Sequence, residues 1–173
     1  MKMTAMLALL LTVSSAPAFA DSEASFTLPS GVTVKITEAI FDKSIFKLSG
    51  CTDTSPGCVI NGHVPMGVAS SSPKTYVKKI LISYQNRSYS LDVSDMYDAW
   101  GQRPLEREGV VRYFGGKCFD SKNCQFRGLF SDGAASFVAE WRVVDGLPVR
   151  TVLSSSDDIV HLFTKHIDPP EFN

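Results

Sequence analysis

The chain has 173 residues and a formal net charge of −1 at pH 7, with 17 lysine and arginine residues against 18 aspartate and glutamate residues. No basic stripe or acidic tail is visible in the sequence, so its charge pattern argues against nucleic acid and against an anionic membrane surface as partners. The length suits a single domain that buries a useful hydrophobic core.

The first twenty residues carry the pattern of a signal peptide. Lys2 supplies a positive charge, residues 6–13 form an apolar core, and residues 18–20 (AFA) form a small-residue cleavage site. A buried helix would show the same hydrophobicity, but the three features occur in the order of an export signal, and the apolar run is too short to span a bilayer. We expect cleavage to leave residues 21–173 as a single β-rich, exported and soluble domain, in the manner of the bacterial periplasm, without an integral membrane segment.

The early part of the exported chain predicts short strands. Residues 21–30 are a polar lead-in, and residues 32–36 alternate apolar and polar side chains, as a half-buried strand does. Residues 40–48 fit either a strand or a short amphipathic helix, and we take the strand as the prediction. A further short strand is expected at residues 59–64.

The middle of the chain predicts a hairpin, a short helix and another strand. The hairpin covers residues 75–91, with its turn at residues 85–87. Residues 92–101 predict one or two helical turns that begin at a Ser or Asp cap and end at a glycine. Residues 110–114 predict a strand, and the glycine pair after it predicts a tight turn, because the spacing of a phosphate-binding loop is absent.

The stretch from residue 126 to residue 153 is the predicted centre of the sheet. Asp145-Gly146 lies between two β-prone runs, and this dipeptide favours a two-residue hairpin loop with positive φ at both positions. In that register Val144 opposes Leu147, and Trp141 opposes Arg150. The face predicted to be buried carries Phe137, Ala139, Trp141, Val143, Pro148, Arg150 and Val152. We expect Arg150 to lie across the Trp141 ring.

The last element is a predicted α-helix. Residues 154–158 (SSSDD) suit a helix N-terminus, because the hydroxyls cap it and the carboxylates interact favourably with its dipole. Ile159, Leu162, Phe163 and His166 or Ile167 then form an apolar stripe, and Asp168-Pro169 ends the helix. The predicted fold class is therefore α+β, mainly antiparallel β-sheet built from hairpins, with a C-terminal α-helix and one short central helix.

Four cysteines lie in the exported part of the chain, where thiols are normally oxidised. Three pairings are possible, and we choose Cys51–Cys58 with Cys118–Cys124 because each pair brackets a polar, turn-rich loop. A metal site is the rival interpretation, but the spacings C-x₆-C and C-x₅-C do not match the common zinc patterns. A redox-active pair is disfavoured because the sequence has no C-x-x-C.

The sequence contains no recognisable reaction centre, so we predict no catalytic residue, no cofactor and no metal. His161 and His166 are five residues apart on the predicted helix and do not share a face, and His63 has no ligand-like companion nearby in the sequence. No nucleophile elbow or dinucleotide fingerprint occurs. A Ser/His/Asp triad assembled from distant segments stays open, because such triads are recognised by geometry.

In its general plan the chain resembles the periplasmic immunity proteins, which protect bacteria from the wall-degrading or membrane-damaging toxins of their neighbours. The resemblance rests on the signal at residues 1–20, the small size, the cysteine loops at residues 51–58 and 118–124, and the lack of catalytic signatures. It includes no diagnostic motif, so no family residue can be carried over. It implies stoichiometric inhibition, with a loop blocking the active-site cleft of a toxin.

Two other classes compete with the inhibitor hypothesis, namely an envelope accessory or assembly protein and a small periplasmic hydrolase with a dispersed site. For a protein partner, we expect loops 51–58 and 115–124 to matter most. Trp100, Lys117 and Arg127 are the predicted anchor residues, because tryptophan and arginine are enriched at interface hot spots and all three lie near predicted loops. The rival interpretation is that Trp100 packs onto the sheet with Met96 and Tyr97, because aromatic side chains are usually buried.

Overall fold

A computed structural model describes residues 21–51, 58–68, 72–100, 110–131 and 133–169. The predicted signal peptide and most of the first cysteine loop lie outside these residues. The strands are β1 Ser22–Thr27, β2 Thr33–Ile40, β3 Leu48–Ser49, β4 Val59–Ile60, β5 Thr75–Tyr84, β6 Arg87–Leu91, β7 Phe114–Cys118, β8 Cys124–Phe130, β9 Phe137–Val144 and β10 Leu147–Ser154. The helix α1 is Asp157–Lys165, and 3₁₀ helices occur at Lys43–Ile45, Val110–Tyr113 and Gly133–Ala135.

The strands form two four-stranded antiparallel sheets. The first has the order β1-β2-β5-β6 and the second the order β10-β9-β8-β7, while β3 and β4 pair as a separate small ribbon. The helix α1 contacts β8 and β9 of the second sheet. This architecture confirms the predicted class, mainly antiparallel β-sheet built from hairpins with a C-terminal α-helix.

Both predicted hairpins are present because their two-residue turns have the backbone that such turns require. Asp145 and Gly146 have φ of 50° and 85°, and Gln85 and Asn86 have φ of 45° and 62°. Positive φ at both central positions matches the twist of the flanking strands. In the central hairpin, Val144 pairs with Leu147 and Trp141 with Arg150, as predicted.

The core lies between the two sheets. Its largest fully buried side chains include Ile36, Ile80 and Ile82 of the first sheet and Phe126, Phe130, Phe137 and Trp141 of the second. Trp141 also needs a partner for its indole N–H, and Nε1 donates to the carbonyl of Asp92 at 2.7 Å. This hydrogen bond fixes the segment after β6 against the second sheet.

The predicted central helix is wrong over its described part, residues 92–100. Asp95 and Asp98 have φ of 66° and 41°, outside the helical region, and Met96 and Tyr97 form bridges to neighbouring segments. The polar residues taken as a helix cap instead close a turn, in which Asp92 Oδ1 accepts hydrogen bonds from the backbone N–H and the hydroxyl of Ser94. Such residues favour caps and turns for the same reason, and here the turn prevails.

Other local predictions also need correction. Residues 40–48 form the end of β2, a 3₁₀ helix and the two-residue β3, and residues 110–113 form a 3₁₀ helix before β7 begins. The polar lead-in contains β1, and Val64 lies beyond the end of β4. The expected contact of Arg150 with the Trp141 ring is replaced by an ion pair, since Arg150 Nη2 lies 3.2 Å from Asp92 Oδ2.

Candidate functional site

The two disulfides have the predicted pairing, Cys51–Cys58 and Cys118–Cys124. The second bridge joins the end of β7 to the start of β8, where the two cysteines are cross-strand partners. Disulfides persist in oxidising compartments. The pair of bridges therefore indicates an oxidising, extracytoplasmic environment.

The second cysteine loop is fixed by hydrogen bonds as well as by its bridge. Asp120 Oδ1 accepts hydrogen bonds from the backbone N–H groups of Lys122 and Asn123, at 2.6 and 2.9 Å. The side-chain amide of Asn123 also donates to this carboxylate. That hydrogen bond lowers the pKa of Asp120 most, and the backbone N–H groups lower it further. Asn123 Oδ1 accepts from the N–H of Asp145 at 3.1 Å, and Tyr89 donates to a loop carbonyl at 2.5 Å. The loop, the β9–β10 turn and the first sheet thus hold one another in place.

This end of the second sheet exposes a group of large apolar side chains on its outer face. They are Phe119 (61% exposed), Val144 (54%), Leu147 (69%) and Val149 (53%), which we call the docking face. Val144 and Leu147 are cross-strand partners, and Val149 pairs with Arg142 one row further on. The alternation of side chains along a strand puts Val144, Leu147 and Val149 on the same side of the sheet.

Cations border the docking face. Lys117 belongs to the same row of the sheet as Arg142 and Val149. It pairs with Gln125 of β8, Gln125 pairs with Arg142 of β9, and Arg142 pairs with Val149 of β10. Its ammonium group lies 5.1 Å from the centroid of the Phe119 ring. The exposed Arg142 reaches Glu140 Oε1 at 3.5 Å. The structure therefore places the predicted anchor Lys117 at the edge of this apolar surface.

Arg127 has a different environment, because α1 covers the other half of the outer face. Its Nε donates to Glu140 Oε2 at 2.7 Å, its Nη1 donates to the carbonyl of His166 at 3.2 Å, and its guanidinium lies 5.0 Å from the Phe163 ring centroid. Burial raises the pKa of Glu140, but the hydrogen bonds from Arg127 and Thr151 outweigh it and the pKa is lowered. These contacts make Arg127 the residue that attaches α1 to the sheet.

Trp100 lies apart from both Lys117 and Arg127. Its ring meets that of Phe130 edge to face at 5.8 Å, and it lines a small cavity of about 90 Å³ with Tyr113, Leu129 and Ser131. Half-buried and packed against the core, it fits the interpretation of Trp100 as a packing residue. The three predicted anchors are therefore not brought together into one surface.

A larger cavity of about 340 Å³, which we call the aromatic pocket, opens beside the β3–β4 ribbon. Its rings are those of Phe46, Tyr76 and Tyr97, and Phe46 meets the two tyrosines edge to face at centroid distances of 5.3 and 6.2 Å. Burial, with the nearby charge of Asp95, raises the pKa of Tyr97 to about 12. The phenol therefore stays neutral over the physiological range.

His63 and Asp95 form the polar side of the aromatic pocket. The exposed His63 places Nδ1 at 3.1 and 3.0 Å from the two carboxylate oxygens of the half-buried Asp95. An ionised carboxylate only accepts hydrogen bonds, so we assign the proton to Nδ1. Ser94 also lines the pocket, but its hydroxyl donates to Asp92 at 2.6 Å.

The backbone brings His63 and Asp95 together from distant parts of the chain. Met66 N–H donates to the carbonyl of Asp95 at 2.8 Å, and Tyr97 N–H donates to the carbonyl of Met66 at 3.0 Å. This bridge lies between segments about thirty residues apart in the sequence. Sequence reasoning therefore missed the companion of His63, for which no local pattern exists.

Within the described part of the chain, no group of three or more His, Cys, Asp or Glu side chains is placed to hold a metal ion. The same residues include no helix with the length and apolar character needed to cross a bilayer. Comparison of the chain with family models, with curated proteins and with solved structures found no match.

Proposed function

We propose that the protein is a periplasmic binding and inhibitory protein, an immunity protein that neutralises a toxin or a wall- or membrane-degrading effector by stoichiometric binding. The docking face is the observation that carries this proposal. Large apolar side chains exposed by half or more are common singly, but Val144, Leu147 and Val149 lie on two adjacent strands, with Phe119 at the same end of the sheet, and such a group marks an interaction surface.

The rigidity of the docking face suits tight binding. Association costs free energy wherever loops and side chains must be ordered, so a surface that is ordered beforehand binds more tightly at equal area. The Cys118–Cys124 bridge and the hydrogen bonds of Asp120 and Asn123 supply that order before any partner arrives. An inhibitor that must occupy a cleft benefits from this arrangement.

The charges around the docking face indicate the chemistry of the partner. Lys117, Lys122 and Arg142 border it. Three carboxylates lie nearby: Glu140 pairs with two arginines, Asp120 accepts hydrogen bonds from its own loop, and Asp145 belongs to the β9–β10 turn. Complementarity therefore favours a protein whose contact surface has an apolar centre and a rim that carries charges of both signs.

Charge insertion on the docking face tests the proposal. Leu147→Glu and Val149→Glu place carboxylates at residues 69% and 53% exposed, and Val64→Glu and Ile40→Glu are matched controls elsewhere, at 68% and 51%. The mature, oxidised proteins are used to capture partners from periplasmic and secreted extracts, and each captured enzyme is assayed with increasing inhibitor. We expect inhibition that saturates at a 1:1 ratio, weakened at least about tenfold by both docking-face variants and unchanged by the controls.

Three results would overturn the proposal. If the docking-face variants and the controls capture the partner equally, the docking face does not take part in binding. Capture of envelope assembly components without inhibition of an enzyme would establish the accessory class instead. A wild-type dimer that the Leu147→Glu change dissociates, seen by sedimentation, would assign the docking face to a second copy of this chain.

A small hydrolase is the second candidate, and the His63–Asp95 pair is the observation that favours it. A carboxylate on Nδ1 orients an imidazole so that Nε2 can act as a general base, as in catalytic triads and dyads. The test is a screen of ester, amide and glycoside substrates with wild type and His63→Gln. Turnover that the substitution abolishes would establish the enzyme, and turnover that survives it would exclude this site.

A further inference from the structure

We infer that the aromatic pocket binds an organic cation, an alkylammonium or guanidinium group held between the aromatic rings and the Asp95 carboxylate. This site is separate from the docking face, and the inference does not depend on the proposed function. It assigns a ligand class to the cavity of about 340 Å³ beside the β3–β4 ribbon.

The aromatic walls provide the first part of the argument. A ring face carries negative electrostatic potential, so a cation within about 6 Å of a ring centroid is attracted to it, and several rings around one site make an aromatic cage. Phe46 lies roughly perpendicular to both Tyr76 and Tyr97, at 74° and 73°. Phe41 stacks on Phe46 at a centroid distance of 4.5 Å, so these rings belong to one aromatic cluster, and the side of the cluster that Phe46, Tyr76 and Tyr97 form lines the cavity.

The charge inside the pocket provides the second part. Asp95 is the carboxylate among the described lining residues, and these include no lysine or arginine to neutralise it. His63 Nδ1 is hydrogen-bonded to it, at 3.1 and 3.0 Å from the two carboxylate oxygens. A half-buried carboxylate beside aromatic rings is complementary to a cation with apolar substituents and repels an anionic ligand.

The size of the pocket gives the third part. Pockets for small ligands begin at about 300 Å³, which accommodates a lysine or arginine side chain or a small quaternary ammonium compound. The apolar side chains of Val77, Val93 and Met96 also line the cavity and suit the methylene or methyl groups of such ligands. The ligand can therefore be a free small cation or the side chain of a polypeptide, and the experiment separates the two.

The experiment compares cations with their neutral isosteres. Choline is measured against 3,3-dimethylbutan-1-ol, and N-acetyl-lysine amide and N-acetyl-arginine amide against N-acetyl-norleucine amide, by NMR titration of the mature, oxidised protein. We expect saturable binding of the cations, with ring protons of Tyr76 and Tyr97 shifting and ligand protons moving upfield. Neutral isosteres should bind at least about tenfold more weakly. Tighter binding of choline would indicate a free small cation, and tighter binding of the amides would indicate a polypeptide side chain.

Three variants, two in the pocket and one control, locate the site. Asp95→Asn removes the charge at a residue with φ of 66°, and asparagine tolerates that backbone region as aspartate does. Asp145→Asn is the matched control, because it removes the same charge at a positive-φ residue (φ 50°) of a distant turn. Cation affinity should fall at least about tenfold in the first variant and stay unchanged in the second. Tyr76→Leu, which removes one wall, should weaken binding several-fold.

Three outcomes would overturn the inference. The inference is refuted if cations and neutral isosteres bind wild type equally, or if no cation binds it saturably. Both results come from wild type alone, so the test still decides if the Asp95→Asn protein does not fold. Full affinity in a folded Asp95→Asn protein would remove the carboxylate from the site. Each outcome is independent of whether the docking face binds a protein.

Discussion

A buried carboxyl group in β2 makes the stability of this protein depend on pH in an unusual direction. Glu38 is only 4% exposed, and its Oε1 accepts a hydrogen bond from the hydroxyl of Thr75 at 2.5 Å. The pKa of Glu38 is raised from 4.5 to about 7. Burial is the main cause, the hydrogen bond from Thr75 opposes it, and the charge of Asp98 adds to the increase. Glu38 in the folded protein therefore holds its proton at pH values where an ordinary glutamate has lost it.

The sign and size of the effect follow from linkage. Between an ordinary pKa of 4.5 and a folded-state pKa of about 7, the native state binds a proton that the unfolded state has released. The free energy of unfolding therefore falls as the pH rises through this range and levels off above it. At 1.36 kcal/mol for each pKa unit, the contribution lost is on the order of 3 kcal/mol.

The substitution Glu38→Gln isolates this contribution. Glutamine keeps a carbonyl oxygen that can accept the Thr75 hydrogen bond but carries no charge at any pH. We expect the free energy of unfolding of the variant to exceed that of wild type by on the order of 3 kcal/mol at pH 8. At pH 4.5 the two values should differ by less than about 1 kcal/mol. Urea unfolding at half-unit steps between these values gives the difference, and groups common to both proteins cancel from it.

The matched control is Glu23→Gln, at a half-exposed glutamate whose Oε1 lies 3.0 Å from Lys35 Nζ. An exposed pair of this kind contributes about 0–1 kcal/mol, so the control should shift stability little and without a step near pH 7. If the stability curves of wild type and Glu38→Gln run parallel from pH 4.5 to pH 8, the assignment of a neutral, buried Glu38 is refuted.

Three further predictions concern the second sheet. Arg127→Leu leaves Glu140 buried without its strongest partner and should cost about 3–5 kcal/mol in urea unfolding, and adding Glu140→Gln should restore part of this loss. Gly115→Ala places a Cβ about 2.3 Å from a backbone carbonyl beyond α1; it should cost about 1–3 kcal/mol and speed proteolysis near the C-terminus. Replacing both Cys118 and Cys124 by serine should lower the free energy of unfolding by about 2–3 kcal/mol and should weaken the free energy of partner binding by more. Equal losses would mean that the bridge only stabilises the fold.

The parts of the fold that the sequence predicts are those governed by short-range rules. Asp145-Gly146 determines a two-residue loop, and such a loop fixes the register of its strands, so the pairing of Trp141 with Arg150 follows from the turn. The prediction fails just beyond this pair, because a register shift lies between Arg150 and Val152. Leu153 consequently pairs with Ala139 and packs against the core, although strict alternation assigned it to the outer face.

The aromatic pocket could not be predicted because non-local contacts assemble it. His63 and Asp95 are 32 residues apart in the sequence, and their side chains meet only because the backbones of Met66 and Met96 form a bridge. The residues around Asp95 also carried a misleading local signal, since a Ser-Asp pair before apolar residues favours a helix cap and a turn alike. Only the pairing with β5 and with residue 66 decides between these two structures.

The docking face has an intermediate status, because its residues follow from the predicted register but its exposure depends on the size of α1. The register alone puts Val144, Leu147 and Val149 on the face opposite the core, where apolar residues are expected only beneath another element. A nine-residue helix extends about 14 Å, whereas an eight-residue strand extends about 26 Å. At any packing angle α1 can therefore cover only part of this face. Since α1 lies over Arg127 and Glu140, the apolar half beyond them has no cover from the described residues, and this is the half on which we propose that a partner protein binds.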